Sequence, residues 1–180
     1  PSIMHQKLPK EIDPIRLAQN GLKYDGQILL SDMPRLAKSL HSDSGLVEVL
    51  LAFDIDEIGT PYVKGEFTVP VSIVCERCML PMTISLSANC LLAMVVSEKL
   101  IDKLAEQYDP WLLESSEPVL LSKVVEDELI LALPLVPRHT DACLPSDAWS
   151  TISDDSDYNK EQEDDKPESP FAILSSLKKQ

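Results

Sequence analysis

The sequence predicts an α+β fold in which a mainly antiparallel, partly barrel-like sheet carries a few packing helices. Alternating segments rich in β-branched residues fill the middle of the chain, a pattern typical of half-buried strands. The motif Cys75-Glu76-Arg77-Cys78 lies between two such segments, and Pro81 prevents a helix from starting at the second cysteine. The motif is therefore predicted at the tip of a β-hairpin.

The sequence of residues 13–41 predicts two short helices separated by a weak strand region. Asp13 as N-cap and Pro14 in the first turn begin the first helix, which an Asn-Gly pair ends. Residues 22–30 have weak strand character, interrupted by the turn dipeptide Asp25-Gly26. Residues 31–41 return to helical spacing.

The following elements are predicted from the same periodicities. In chain order they are strand 46–55, a turn at 59–61, strand 62–69, the cysteine hairpin with a second arm reaching Val96, helix 97–107, an irregular stretch at 108–111, and helix 120–133. The last helix has an apolar stripe along one side, and Pro134 and Pro137 stop it.

Three regions are predicted along the chain. Residues 1–145 form an α+β core domain, and residues 146–168 form an acidic linker too poor in apolar residues to fold alone. Residues 169–180 form a short amphipathic helix, capped by Ser169 and ending in two lysines. Such a helix needs a docking surface, and either the protein's own sheet or a partner can supply it.

The charge balance narrows the classes of partner. The net charge is −14, and ten acidic residues stand against two lysines between positions 141 and 168. Residues 1–40 are slightly basic, with six cations and four acids. Since nucleic-acid affinity comes mostly from neutralising phosphates, tight sequence-independent RNA binding is not expected. Cationic proteins, with a local contact to RNA at the basic front, are the predicted partners.

Other features predict a cytoplasmic protein without a small-molecule substrate. Four cysteines lie in no regular framework, which favours a reducing compartment. No segment resembles a signal peptide or has the length of a bilayer span, so no membrane contact is expected. No glycine-rich phosphate loop and no histidine–acid–nucleophile set can be assembled.

The cysteines and one histidine suggest a metal site. A closed structural zinc site takes four ligands, and Cys75 and Cys78 supply two of them. His139 and Cys143, four residues apart in a loop-like stretch, are the candidates for the other two. Cys90 lies in an apolar run and is interpreted as a small buried side chain. Two interpretations stay open, a structural zinc site or reduced, partly buried thiols.

Two enzymatic alternatives are also considered. Glu126 and Asp127 could serve a metal-dependent nuclease, but consecutive acids on a helix point about 100° apart and do not converge on one ion. A solvated face, or ion pairs with the basic front, is the interpretation favoured for them. Cys75 and Cys78 could serve a thiol oxidoreductase, but no helix N-terminus follows to lower the thiol pKa.

Taken together, the segments resemble the family of large ribosomal RNA subunit accumulation proteins, the YceD family. The segments that carry the resemblance are Leu8-Pro9 with 13–18, the hairpin motif at 74–78, the helix segment 125–134, and Pro170-Phe171-Ala172-Ile173-Leu174 with Leu177-Lys178. The four motifs in this order and at these distances are specific for the family, although no single motif is. Other branches of the family carry a fuller second cysteine cluster where this chain has His139 and Cys143.

The resemblance implies a non-enzymatic cytoplasmic factor for the synthesis, processing or stability of 23S-type ribosomal RNA in ribosome biogenesis. It implies no catalytic residues. Combined with the charge balance, it leads to the hypothesis of an acidic adaptor whose partners are basic ribosomal proteins or rRNA-processing factors.

Overall fold

The computed structural model describes residues 7–113 and 117–144, and its centre is an open five-stranded sheet in the order β2-β3-β4-β5-β6. The strands are β2 (Lys23–Leu29), β3 (Leu46–Ile55), β4 (Pro61–Val74), β5 (Pro81–Val95) and β6 (Asp109–Leu112). The first four pair antiparallel, and β6 pairs parallel to β5. The predicted α+β class with a mainly antiparallel sheet is confirmed. The predicted linker, 146–168, and terminal helix, 169–180, lie outside the described residues.

Three helices and a small ribbon complete the described part. They are α1 (Pro14–Gln19), α2 (Pro34–Ala37), α3 (Leu121–Ala132) and the pair β1 (Glu11–Ile12) with β7 (Val119–Leu120). Asp13 caps α1 as predicted, because its carboxylate accepts a hydrogen bond from the backbone N–H of Arg16 at 3.2 Å. At 12 residues, α3 is too short to cross a bilayer, and no described helix is long and apolar enough to do so.

The alternation of the strands places the core on one face of the sheet. On β3, every second side chain from Val47 to Phe53 is buried, while the intervening ones reach the other face. α3 packs on β5 and contributes Leu121, Val125 and Leu129 to the same core. Fully burying each such aliphatic side chain stabilises the fold by about 1.5–3 kcal/mol.

A close approach at Gly65 sets how β4 and β5 meet. A Cβ there would lie 2.6 Å from the Phe67 ring and 2.7 Å from the Cys90 Sγ, so only glycine fits. Cys90 is buried as predicted, and burial raises the pKa of its thiol to about 12. This cysteine is therefore a neutral packing residue.

Four local predictions differ from the structure. Residues 23–29 form one continuous strand through Asp25-Gly26, because Gly26 pairs with Val49 inside the sheet instead of turning. The predicted helix 97–107 is only a 3₁₀ turn at Glu98–Lys103. The stretch at 108–111, predicted as irregular, instead contains most of β6 (Asp109–Leu112), whose parallel pairing with β5 has no local sequence signal. The predicted helix 31–41 shortens to a 3₁₀ turn and α2.

One buried carboxylate joins α3 to α2. Glu126, 3% exposed, accepts hydrogen bonds from the backbone N–H groups of Arg35 at 2.6 Å and Leu36 at 3.0 Å. These N–H groups belong to the first turn of α2, whose N-cap residue Met33 makes no side-chain capping bond. The Arg35 guanidinium also pairs with Glu126, at 2.8 Å, and with Asp127, at 2.5 Å. The acids thus form ion pairs with the basic front, one of the arrangements predicted.

Replacing the two acids separately tests this capping role. We expect Glu126→Gln to lower the free energy of unfolding by about 2 kcal/mol, because an amide nitrogen would face the guanidinium in a buried site. Asp127→Asn removes an exposed ion pair and should cost about 0.5 kcal/mol. Urea unfolding of both variants is the measurement. Equal losses would contradict the assigned role of Glu126.

Candidate metal centre

The first two candidate ligands lie on a tight hairpin turn between β4 and β5. Cys75 follows the last residue of β4, and its backbone N–H donates to the Leu80 carbonyl at 2.9 Å. The N–H of Met79 donates to the Cys75 carbonyl at 2.8 Å, which folds the four-residue motif into a compact turn. Met79 has a φ of 61°, a left-handed conformation that costs a non-glycine residue about 1–2 kcal/mol. The predicted hairpin position of the motif is confirmed.

The second pair of ligands arrives on the segment that follows α3. Pro134 and Pro137 end the helix and direct the chain back along the hairpin. There the backbone N–H of Glu76 donates to the Pro137 carbonyl at 2.9 Å. This bond anchors the segment just before His139, so that His139 and Cys143 reach the turn.

The structure brings all four predicted ligands together. The Cys75 and Cys143 Sγ atoms are 3.8 Å apart, and the Cys78 Sγ is 3.5 Å from the His139 Nδ1. One ligand atom from each residue lies within 4.8 Å of the other three. Tetrahedral zinc, with bonds of about 2.3 Å to sulfur and 2.0–2.1 Å to nitrogen, would separate sulfurs by roughly 3.8 Å and sulfur from nitrogen by roughly 3.6 Å. These two distances fit a tetrahedral ion, and the cluster could hold a metal.

The pKa of the Cys75 thiol is lowered, which favours the thiolate form that binds cations. Burial alone would raise the pKa of Cys75, but hydrogen bonds from the backbone of Cys78, His139 and Arg77 outweigh it and lower the pKa to about 5. For Cys78, the backbone N–H of Leu80 lowers the pKa, while burial and the neighbouring Cys143 and Cys75 sulfurs raise it overall. Two adjacent thiolates repel each other, and a bound divalent cation would remove that repulsion.

Arg77 supports the cluster from within the motif. Its Nε donates to the Cys143 Sγ at 3.0 Å, and its Nη2 donates to the carbonyls of His139, at 3.3 Å, and Asp141. The hydrogen bond to the Cys143 sulfur raises the pKa of the guanidinium. Arg77 therefore holds both ends of the His139–Cys143 loop against the hairpin. This role of Arg77 was not predicted from the sequence, although a cation between two cysteines is the signal that could have indicated it.

The donor set is of the kind found in structural metal sites. Around a bound ion, three sulfurs and one imidazole would complete a tetrahedral shell and leave no position for water or substrate. Cys75 is buried, whereas Cys78 and Cys143 are partly exposed. Glu126, considered above for nuclease chemistry, has both carboxylate oxygens occupied by donors of Arg35 and Leu36.

Comparisons with known proteins agree with the resemblance seen in the sequence. Residues 63–178 match the family described as "Large ribosomal RNA subunit accumulation protein YceD". A relative of the same description from Haemophilus influenzae is 34% identical over 172 residues, covering 96% of this chain and 97% of the relative. No solved structure matches the chain.

Metal content tests the candidate centre directly. We expect protein purified without chelator to carry one equivalent of zinc, and Cys143→Ser to lose most of it in competition with a chromogenic chelator, because one of four ligands is gone. Cys90→Ala, which removes a thiol outside the cluster, is the matched control and should keep the zinc. A metal-free wild type would leave reduced thiols as the interpretation.

The ionisation of Cys75 predicts a pH dependence for the reduced, metal-free protein. Thiolate absorbance at 240 nm should rise with a midpoint near pH 5, and Cys75→Ser should lack this step while Cys90→Ala retains it. Because the folded pKa lies below the ordinary value of 9.0, the stabilisation is full above pH 9.0 and is lost as the pH falls through about 5. Absence of a thiolate below pH 7.5 would contradict the assigned hydrogen bonds.

Proposed function

Because the chain belongs to the YceD family of large ribosomal RNA subunit accumulation proteins, we propose that it acts in the synthesis, processing or stability of the large-subunit, 23S-type ribosomal RNA. The observation that carries this proposal is the extent of the similarity. The relative from Haemophilus influenzae aligns along nearly the whole length of both chains. Both the hairpin and the segment after α3 therefore fall within the shared region.

The proposed mechanism is that of a non-enzymatic adaptor. The chain carries a net charge of −14, so its field attracts cationic proteins and repels RNA phosphates. Basic ribosomal proteins or rRNA-processing factors are the partners that this charge favours. RNA contacts, where they occur, involve the slightly basic residues 1–40.

In this mechanism the metal centre has a structural role. Cys75, Cys78, His139 and Cys143 would hold zinc, and the ion would supply a cross-link between the hairpin and the segment that follows α3. The closed donor set and the buried bonds of Glu126 favour this role over a thiol oxidoreductase or a nuclease.

The cellular role can be tested by removing the protein. Cells that lack it should show a lower ratio of large-subunit to small-subunit ribosomal RNA, which the wild-type protein restores. Glu57→Gln, at an exposed turn position, is a control that should restore the ratio equally well. An unchanged ratio in the deletion strain would refute the proposed function.

The adaptor mechanism requires a separate test. Affinity purification at low and high salt, with and without ribonuclease, should recover basic proteins at low salt whether or not RNA is digested, because the attraction is directly between proteins. Recovery that ribonuclease abolishes would indicate direct RNA binding in place of the adaptor mechanism.

A further inference from the structure

One edge of the sheet is open along much of β5. β6 pairs with β5 only at 92–95, so within the part of the chain that the structure describes, residues 81–91 pair with a strand on one side alone. The matching half of β4 is covered on its outer side, because the backbone N–H of His41 donates to the Ser72 carbonyl at 2.7 Å and Ser42 pairs with Ser72. We call residues 83–89 of β5 the open edge.

The register with β4 shows which backbone groups of the open edge point outward. In an antiparallel pair, residues that exchange hydrogen bonds alternate with residues that do not. The N–H of Cys75 donates to the carbonyl of Leu80, which makes theirs a hydrogen-bonded pair, and Pro70, which has no N–H, opposes Ser85 in a pair of the other kind. Every second residue after Leu80 therefore bonds to β4, and the residues between them direct N–H and C=O away from it. These outward residues, all exposed, are Thr83, Ser85, Ser87 and Asn89.

The open edge has none of the features that commonly prevent strand addition. Natural proteins protect edge strands with charges, proline or bulges. Residues 82–95 include no charged residue and no proline, although charged residues make up 26% of the chain. The register with β4 is unbroken over residues 81–93, so this stretch contains no bulge. The strand at the far side of the sheet, β2, carries both Lys23 and Asp25.

We propose that the open edge binds an extended segment of a protein partner by strand addition, in line with β6 along β5. This proposal rests on the proposed adaptor function and names the surface that performs it. Main-chain hydrogen bonds to the four outward residues would supply affinity, because each presents an N–H and a C=O in the direction of the new strand. Side chains at alternate positions of the segment would supply specificity.

The two faces of β5 define the side-chain pattern that such a segment needs. On the core face, Met82 and Ile84 are only partly buried, so apolar side chains of the added strand would pack beside them. On the other face the neighbouring side chains of β5 are polar and exposed, which suits polar side chains. Cations among these are favoured, because the net charge of −14 attracts them. The segment therefore alternates apolar residues with polar or basic ones.

The structure disfavours a second copy of the chain and RNA as occupants. In a two-fold antiparallel pair of β5 strands about 4.8 Å apart, both α3 helices would lie on the same face of the joined sheet. Because α3 packs on β5, the two helices would approach more closely than the roughly 8–10 Å at which helices pack. A single extended segment brings no helix. RNA has no peptide groups to continue the ladder, and its phosphates are repelled by the net charge.

The test uses the full reduced chain and a ten-residue synthetic peptide that alternates valine with lysine. Two further peptides have the same sequence, with N-methyl groups on either all lysines or all valines. Methylation removes backbone donors without changing side chains or charge, and only every second N–H of an added strand faces the edge. We expect calorimetry to show that one methylated peptide binds like the parent and the other at least about tenfold more weakly. Loss with methylated lysines indicates antiparallel addition, and loss with methylated valines indicates parallel addition.

Two variants of one residue locate the binding surface. Ser87→Pro removes an outward N–H and should weaken the parent peptide about tenfold, whereas Ser87→Ala keeps the N–H and should change the affinity less than about twofold. Circular dichroism confirms that both variants are folded. In the wild-type chain, the peptide should slow amide hydrogen exchange at Ser85 and Ser87 but leave Leu86, which bonds to β4, unchanged.

Each remaining outcome overturns the proposal. If both methylated peptides bind like the parent, or Ser87→Pro binds like the wild type, strand addition at the open edge is rejected, although the adaptor function stands. If the outward amides are already protected in the free protein at every concentration, another segment of this chain covers the edge. Protection that grows with protein concentration assigns the edge to a second copy. An unchanged ribosomal RNA ratio in cells lacking the protein, with peptide binding intact, refutes the function but not the open edge.

Discussion

The hydrogen bond between the backbone N–H of Glu76 and the carbonyl of Pro137 is the contact on which the candidate centre depends. It joins two segments about sixty residues apart in sequence, and closing such a loop has an entropic cost that one backbone bond offsets only in part. Arg77 adds three donors to the same crossing. A zinc ion held by both segments would add stabilisation to this crossing.

Charge is arranged differently around the cysteine cluster and around Glu128. Around the cysteines, the guanidinium of Arg77 balances the sulfurs, so the cluster is locally compensated. Around Glu128, burial and the carboxylates of Asp109 and Asp127 raise the pKa of the carboxyl, although Asp127 is itself paired with Arg35. The locally compensated arrangement at the cysteines is suited to holding a fold together.

The sequence was sufficient where the signal is local. Alternation located β3 and the arms of the cysteine hairpin, and helical spacing located α3. The scarcity of other cysteines and histidines left His139 and Cys143 as the candidate partners of Cys75 and Cys78. It was insufficient where tertiary contacts override local preference. The dipeptide Asp25-Gly26 predicts a turn, but Gly26 is a paired strand residue. β6 forms by pairing in parallel with the edge of β5, a contact that local preference does not predict. The burial of Glu126 could not be foreseen, because its partner N–H groups belong to a helix ninety-one residues away.

The separation of the two ligand pairs also orders the assembly of the centre in time. Cys75 and Cys78 meet through the turn of a single long hairpin, which can pair as soon as both of its arms have been synthesised. His139 lies 61 residues beyond Cys78, so it emerges roughly 3–12 s later at about 5–20 residues per second. During that interval the nascent chain presents two sulfur donors with half of a coordination shell. Binding of an ion by all four residues would then be a late step of biosynthesis, and a chain that stalls before its second pair emerges would keep the two hairpin thiols without their partners.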